Sequence, residues 1–207
     1  MSLENISFIE SEEALRALHH PQLSRARDKV LTKLDKHCRQ IIGLSPFCII
    51  STQGKNGADV SPRGDPPGSV AIVDDHTLLL ADRVGNNRMD CMVNLMSNPM
   101  IGMLFIVPGM NETLRINGTA QVTDDARLLE QLAVKGRVPK VGILVSVSEA
   151  FLHCAKALVR SRLWDKDVQI DRDIIPSFPD ILNDHVEGLT TEENERQSKI
   201  MKERGLY

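Results

Sequence analysis

Between Phe47 and His153 the chain carries seven short segments rich in Val, Ile, Leu and Thr, cut apart by Gly, Pro, Asn and Asp. They read FCIIST, ADVSPRG, GSVAIV, HTLLLA, MIGMLFIV, TLRINGTAQV and VGILVSVSEAFLH. Before Thr123 only one helical pattern interrupts them. A doubly wound parallel sheet needs a crossover helix after nearly every strand, so that architecture is excluded. Strands at this spacing predict an antiparallel barrel or sandwich. A second helix is expected over Asp125 to Val134 (DARLLEQLAV), capped by Asp124 or Asp125.

The flanks have a different period. Residues 11–44 are helical in pattern, with Leu23, Ala26, Val30, Leu34, Cys38 and Ile41 on one face. Pro21 separates a short first helix from this longer one, and Gly43 with Ser45-Pro46 ends it. The tail from Asp165 is polar and finishes in the charged run TEENERQSKIMKERGLY, which reads as a solvated or frayed helix.

A length of 207 residues gives room for a real core, and a net charge of -3 gives no basic excess for nucleic acid. The longest apolar runs, such as Ile101 to Val107, are too short to span a membrane, and the N-terminus has no secretory pattern. Cys38, Cys48, Cys91 and Cys154 are far apart, so no metal ribbon or disulfide framework is expected, and a cytoplasmic chain with buried, reduced thiols is. His19-His20 lacks further ligands at useful spacing. His153 and Cys154 are adjacent on a strand and would face opposite ways, which argues against a nucleophile pair.

The stretch ADRVGNNRMDCMVNLMSNP, residues 81–99, runs from a strand end through a turn into a helix. Met89, Met92, Val93 and Met96 share one face; with Met100 and Met103, the methionines read as core filler. Asn87 is placed as N-cap with Asp90 at N3, and Asn98-Pro99 stops the helix. Free N–H groups at such a helix mouth, together with Arg83 and Arg88, make a cradle for a phosphate. The plain alternative is a capped helix whose arginines are solvated or paired with acids. Arg63 and Ser61, in the strand ADVSPRGDPPG, would join the same end of the sheet if the strands are adjacent. The Arg63-Gly64-Asp65 triplet matches a cell-adhesion tripeptide, which we take as chance.

The order of SPRGD, ADR, GNNR, NP, MIGMLFIVPG and ETLRINGTAQV resembles the FMN-binding proteins related to pyridoxamine 5′-phosphate oxidase. The later stretch FLHCAKALVRSRLW resembles a bacterial branch of FMN-dependent members. The resemblance implies a mainly β protein with flanking helices (α+β), built on a six-stranded antiparallel split barrel of Greek-key type. It implies an N-terminal helical segment over residues 1–44 packing on the barrel, the FMN-binding domain over 45–165, and a C-terminal extension over 166–207. Asn87 and Arg88 then match the turn that grips the FMN phosphate. Val60, Ser61, Pro62 and Arg63 match the strand beside the flavin ring and ribityl chain, with Ala81 and Asp82 at a strand end near it. Arg83 adds charge, and Thr113 falls near a polar position facing the flavin. Two subunits share each flavin in the family, so Arg160, Ser161 and Trp164 are expected from the partner of a homodimer.

The chain departs from the oxidase itself. The paired Arg-Lys of its phosphate turn is Arg88-Met89 here, and five residues after Arg63 comes Gly68 where the oxidase signature has Lys. These departures point away from pyridoxamine phosphate as substrate. The expected function is an FMN-dependent oxidoreductase acting on a small-molecule substrate or electron donor, with Ser61 and Thr113 as candidates for tuning the flavin. The alternatives are a non-catalytic FMN carrier or sensor, and a haem-handling relative that would need His153 or His185 as axial ligand.

Overall fold

The computed structural model describes residues 3–205. Alternating apolar residues direct the sheet. Cys48, Ile50 and Thr52 of β1 (Phe47–Gly54) point into the core, as do Ile101, Met103 and Phe105 of β5 (Met100–Ile106) and Leu114, Ile116 and Ala120 of β6 (Thr113–Thr123). With β2 (Gly57–Gly64), β3 (Ala71–Ile72), β4 (Thr77–Ala81) and β7 (Gly142–His153) they form one seven-stranded antiparallel sheet, ordered β2-β1-β5-β6-β7-β4-β3. The protein is therefore mixed α+β. The strand count corrects the expected six, because the two residues Ala71 and Ile72 form a short edge beside β4. The outer strands β2 and β3 share no ladder among the described residues, so backbone hydrogen bonds do not close the sheet into a barrel.

Two local features set its shape. At the β6–β7 register shift between Asn117 and Gly118, Gly118 faces Val147 while Asn117 faces Glu149. The extra residue, Ser148, changes the parity of β7: Ile143, Val145 and Val147 point inward before it, and Ala150 after it. The run Leu78-Leu79-Leu80 is buried on both faces. Leu78 and Leu80 enter the main core, whereas Leu79 packs with Leu129 and Leu132 beneath α5 (Ala126–Leu129) and the 3-10 turn that follows it. Asp125 caps α5 as expected, accepting from the N–H of Arg127.

The chain divides into two compact units between Val30 and Leu31. In the first lie α1 (Glu12–Ala17), capped by Ser11, and α2 (Ser24–Asp28); neither buries a residue. The long helix expected up to residue 44 is thus broken. In the second unit Leu31 instead exchanges two backbone hydrogen bonds with Ala150, at 3.0 and 2.8 Å. Asp35 then caps a new helix, α3 (Lys36–Leu44), by accepting from the N–H groups of His37 and Cys38. Only the last part of the apolar face (Leu34, Cys38, Ile41) enters the core; Leu23 and Ala26 are exposed.

Between β4 and β5, α4 (Asp90–Ser97) packs on β1 and buries Cys91, Met92 and Leu95. Met89, Val93, Met96 and Met100 are exposed, so the buried face is rotated from the one expected, and of the five methionines expected in the core Met92 and Met103 are buried. A hydrogen bond of 3.2 Å from Asn94 Nδ2 to the buried Thr52 Oγ1 fixes the rotation. Past β7 come α6 (Lys156–Ser161), α7 (Phe178–His185) and α8 (Thr191–Arg204). The tail is more ordered than a frayed helix: buried Asn194 of α8 donates to Pro179 O and Asn183 Oδ1, both at 2.8 Å. Among the described residues no helix is long and apolar enough to cross a membrane.

Gly118 gives a test of the bulge. A Cβ there would lie 2.0 Å from the backbone oxygen of Ser146, which cannot swing aside. Gly118→Ala should therefore cost about 1–3 kcal/mol in urea unfolding. An unchanged unfolding midpoint would contradict the register.

Candidate functional site

A cavity of about 640 Å³ opens where the ends of β2 and β4 face the start of α4. It lies within the ~300–1,000 Å³ usual for small-molecule and cofactor sites. Val60, Ser61, Pro62, Arg63, Ala81, Asp82, Arg83, Asn87 and Arg88 all line it. On the edge strand β2, alternation gives Asp59, Ser61 and Arg63 one half-buried face, while Val60 and Pro62 alternate with them and are exposed. Pro62 is tolerated because an edge strand leaves one side of its backbone unpaired. Leu80 and Phe105 supply apolar wall.

The three guanidiniums are held differently. Arg83 Nε donates to Asp65 Oδ2 at 2.6 Å, with the two side chains only 17% and 12% exposed. Asp65 lies just past β2 and Arg83 just past β4, so this ion pair joins sheet ends that no ladder connects. Arg83 thus does not point to solvent, and Asp65, buried in this pair, does not present the adhesion tripeptide. Arg88 Nε donates to Asp90 Oδ2 at 2.7 Å, but those side chains are 74% and 44% exposed. Arg63 Nη1 donates to the carbonyl of Pro62 at 2.9 Å, and no carboxylate among the described residues lies within ion-pair distance.

Asn87 does not cap α4. Asn87 and Met89 both take left-handed backbone, φ 59° and 58°, and the helix begins at Asp90, so the capping box is absent. Asn86 holds the turn instead, its Oδ1 accepting from the N–H of Arg88 at 3.1 Å. For a side chain such as Met89 the left-handed state costs about 1–2 kcal/mol, and strain of this kind collects at ligand-binding turns. No side chain caps the first turn of α4 at its N-cap, Met89.

Ser61 Oγ donates to Asp59 Oδ2 at 3.1 Å. Burial raises the pKa of Asp82, and the charge of Arg63 partly offsets this. Burial also pushes the Cys48 thiol up to about 11 and raises that of Cys91, so the two cysteines of the cavity wall are thiols, not thiolates, at neutral pH. No cluster of three or more metal-ligating side chains occurs among the described residues. The groups available are hydrogen-bond partners and charges, suited to binding and orienting a ligand that brings its own reactivity.

One residue expected from this chain, Thr113, lies elsewhere, as do the three expected from a partner subunit. Thr113 is buried at the start of β6, opposite His153, and does not line the cavity. Arg160 and Ser161 are exposed on α6, and Ser161 Oγ donates to Leu158 O. Trp164 Nε1 donates to Met110 O at 3.0 Å within the same chain. His153 and His185 do not line the cavity, and Cys154 is exposed where a buried thiol was expected. Asp59 was missed, and Asp65 and Asp90 were read only as part of a chance tripeptide and a capping box, whereas all three line the cavity and two of them pair with its arginines, as the plain alternative had it.

The two ion pairs should differ in worth. Asp65→Ala strands a mostly buried guanidinium and should cost roughly 3 kcal/mol in urea unfolding. A loss below about 1 kcal/mol would show that the pair does not brace the cavity.

A family model described as pyridoxamine 5′-phosphate oxidase matches residues 34–154, more than half of the chain. No curated protein matches. Solved structures with similarity include HupZ of Group A Streptococcus, at 17% identity and TM-score 0.48, covering 57% of this chain and 93% of that one. A provisionally named pyridoxamine 5′-phosphate oxidase from Lactobacillus delbrueckii has 18% identity and TM-score 0.46, covering 58% and 95%. General stress protein 26 from Bacillus anthracis has 14% identity and TM-score 0.44, covering 55% and 88%. The family match spans the strands and turns that build the cavity, and by it the chain belongs to the pyridoxamine 5′-phosphate oxidase family.

Proposed function

We propose that the cavity binds FMN and that the protein is a cytoplasmic, homodimeric FMN-dependent oxidoreductase acting on a small molecule other than pyridoxamine phosphate. The observation that carries this reading is the meeting of Arg63, Arg83 and Arg88 at one cavity, with Arg63 held by no carboxylate among the described residues. A phosphate monoester needs charge-assisted donors, and Arg63 and Arg88 are the guanidiniums able to give them. Arg83 is engaged with Asp65 and braces the wall.

In this reading the exposed N–H groups at the start of α4 and the turn at Asn86-Asn87 complete the phosphate cradle. The face of β2 that carries Asp59 and Ser61 runs along the ribityl chain. Asp82 lines the cavity without a hydrogen bond to its carboxylate among the described residues, and it accepts from a ligand N–H or hydroxyl. Leu80 and Phe105 offer apolar surface to the ring and exclude water. The flavin, when bound, supplies the hydride and electron chemistry, so no acid–base triad is required of the chain. Arg160, Ser161 and Trp164 reach the site from the second subunit of the dimer, and residues 45–165 form a split-barrel flavin domain between the N-terminal segment and the C-terminal extension.

The purified protein, incubated with FMN and desalted, should retain visible flavin absorbance, and Arg63→Ala should weaken FMN binding by roughly 2–3 kcal/mol in a fluorescence titration. A colourless wild-type protein, or full affinity without Arg63, would overturn this reading.

A further inference from the structure

Arg88 is not a free phosphate ligand, because its guanidinium already donates to the carboxylate two residues along the chain, Asp90. Asp90 is the first residue of α4 and lines the same cavity. We propose that Asp90 sets how strongly the site prefers a phosphorylated flavin to the unphosphorylated one, by competing with the ligand's phosphate for Arg88. The inference rests on the flavin reading above and specifies which residue tunes it.

Asp90 holds the Nε of Arg88, so a bound phosphate can take the two-pronged Nε side of the guanidinium only by displacing Asp90, and the displaced carboxylate then remains near a second anion. The backbone offers no escape. The bond from Arg88 N–H to Asn86 Oδ1 and the left-handed Met89 fix both residues at the mouth of α4, so only their side chains can exchange partners. The exchange is feasible because this pair is solvent-exposed, unlike Arg83–Asp65. Asp90 thus lowers affinity for a phosphate monoester and leaves a neutral ligand with the same ring and side chain but no phosphate almost untouched. Riboflavin is that ligand.

The test compares FMN and riboflavin affinities by flavin fluorescence in the wild-type full chain, Asp90→Asn, Arg88→Ala and the double variant. Asp90→Asn should bind FMN about two- to five-fold more tightly, the worth of an exposed pair, with riboflavin unchanged. In the Arg88→Ala background that gain should disappear. If wild-type protein binds FMN and Asp90→Asn binds it equally or more weakly, the competition is overturned while the flavin reading stands. A gain that persists in full without Arg88, or one shared by riboflavin, also overturns it. Wild-type protein that takes up neither flavin overturns both readings. Should Asp90→Asn fail to fold, Asp90→Ser removes the same carboxylate and carries the same expectation.

Discussion

The ion pair between Arg83 and Asp65 does what the backbone does not. The seven-stranded sheet is open, since β2 and β3 stand at its two ends without a shared ladder among the described residues. A 2.6 Å contact between side chains just past β2 and just past β4 ties those regions together. The cavity lies where they meet. Because the pair is mostly buried, its strength depends on both partners staying charged and close, and removing one would strand the other in a poorly solvated wall. Arg83 is thereby engaged in the architecture, and in the proposed reading ligand charge falls to Arg63 and Arg88.

Much of the sheet was legible in the sequence because β alternation is a strong local signal. All seven segments picked out by composition are strands in the structure. The expected six strands came from the resemblance; the seventh, Ala71–Ile72 within GSVAIV, is a two-residue edge paired with Leu78 and Leu79. Helix boundaries failed where tertiary contacts decide them. Residues 23–41 look like one amphipathic helix until Leu31 pairs with Ala150, a partner more than a hundred residues away. At the helix mouth, Asn87 has the chemistry of an N-cap, but the turn uses Asn86 and two left-handed residues instead.

The candidate site was legible to the same degree. Of the ten residues expected from the chain itself, all but Thr113 line one cavity, because they sit on three strand and turn motifs that the antiparallel topology brings together. Their pairing could not be read, because it depends on side-chain direction. Nothing in ADR or SPRGD distinguishes an arginine facing Asp65 from one facing a ligand. The carboxylates Asp65 and Asp90 make three arginines that the sequence presents as equals unequal, one in a mostly buried ion pair, one in an exposed pair and one in neither.

A crystal structure of the protein grown with FMN would test the central claim most directly. The account predicts the phosphate within hydrogen-bonding distance of Arg63 and Arg88 at the mouth of α4, with Arg83 still on Asp65. A phosphate bound away from this cavity, or one held by Arg83 with Asp65 displaced, would contradict it.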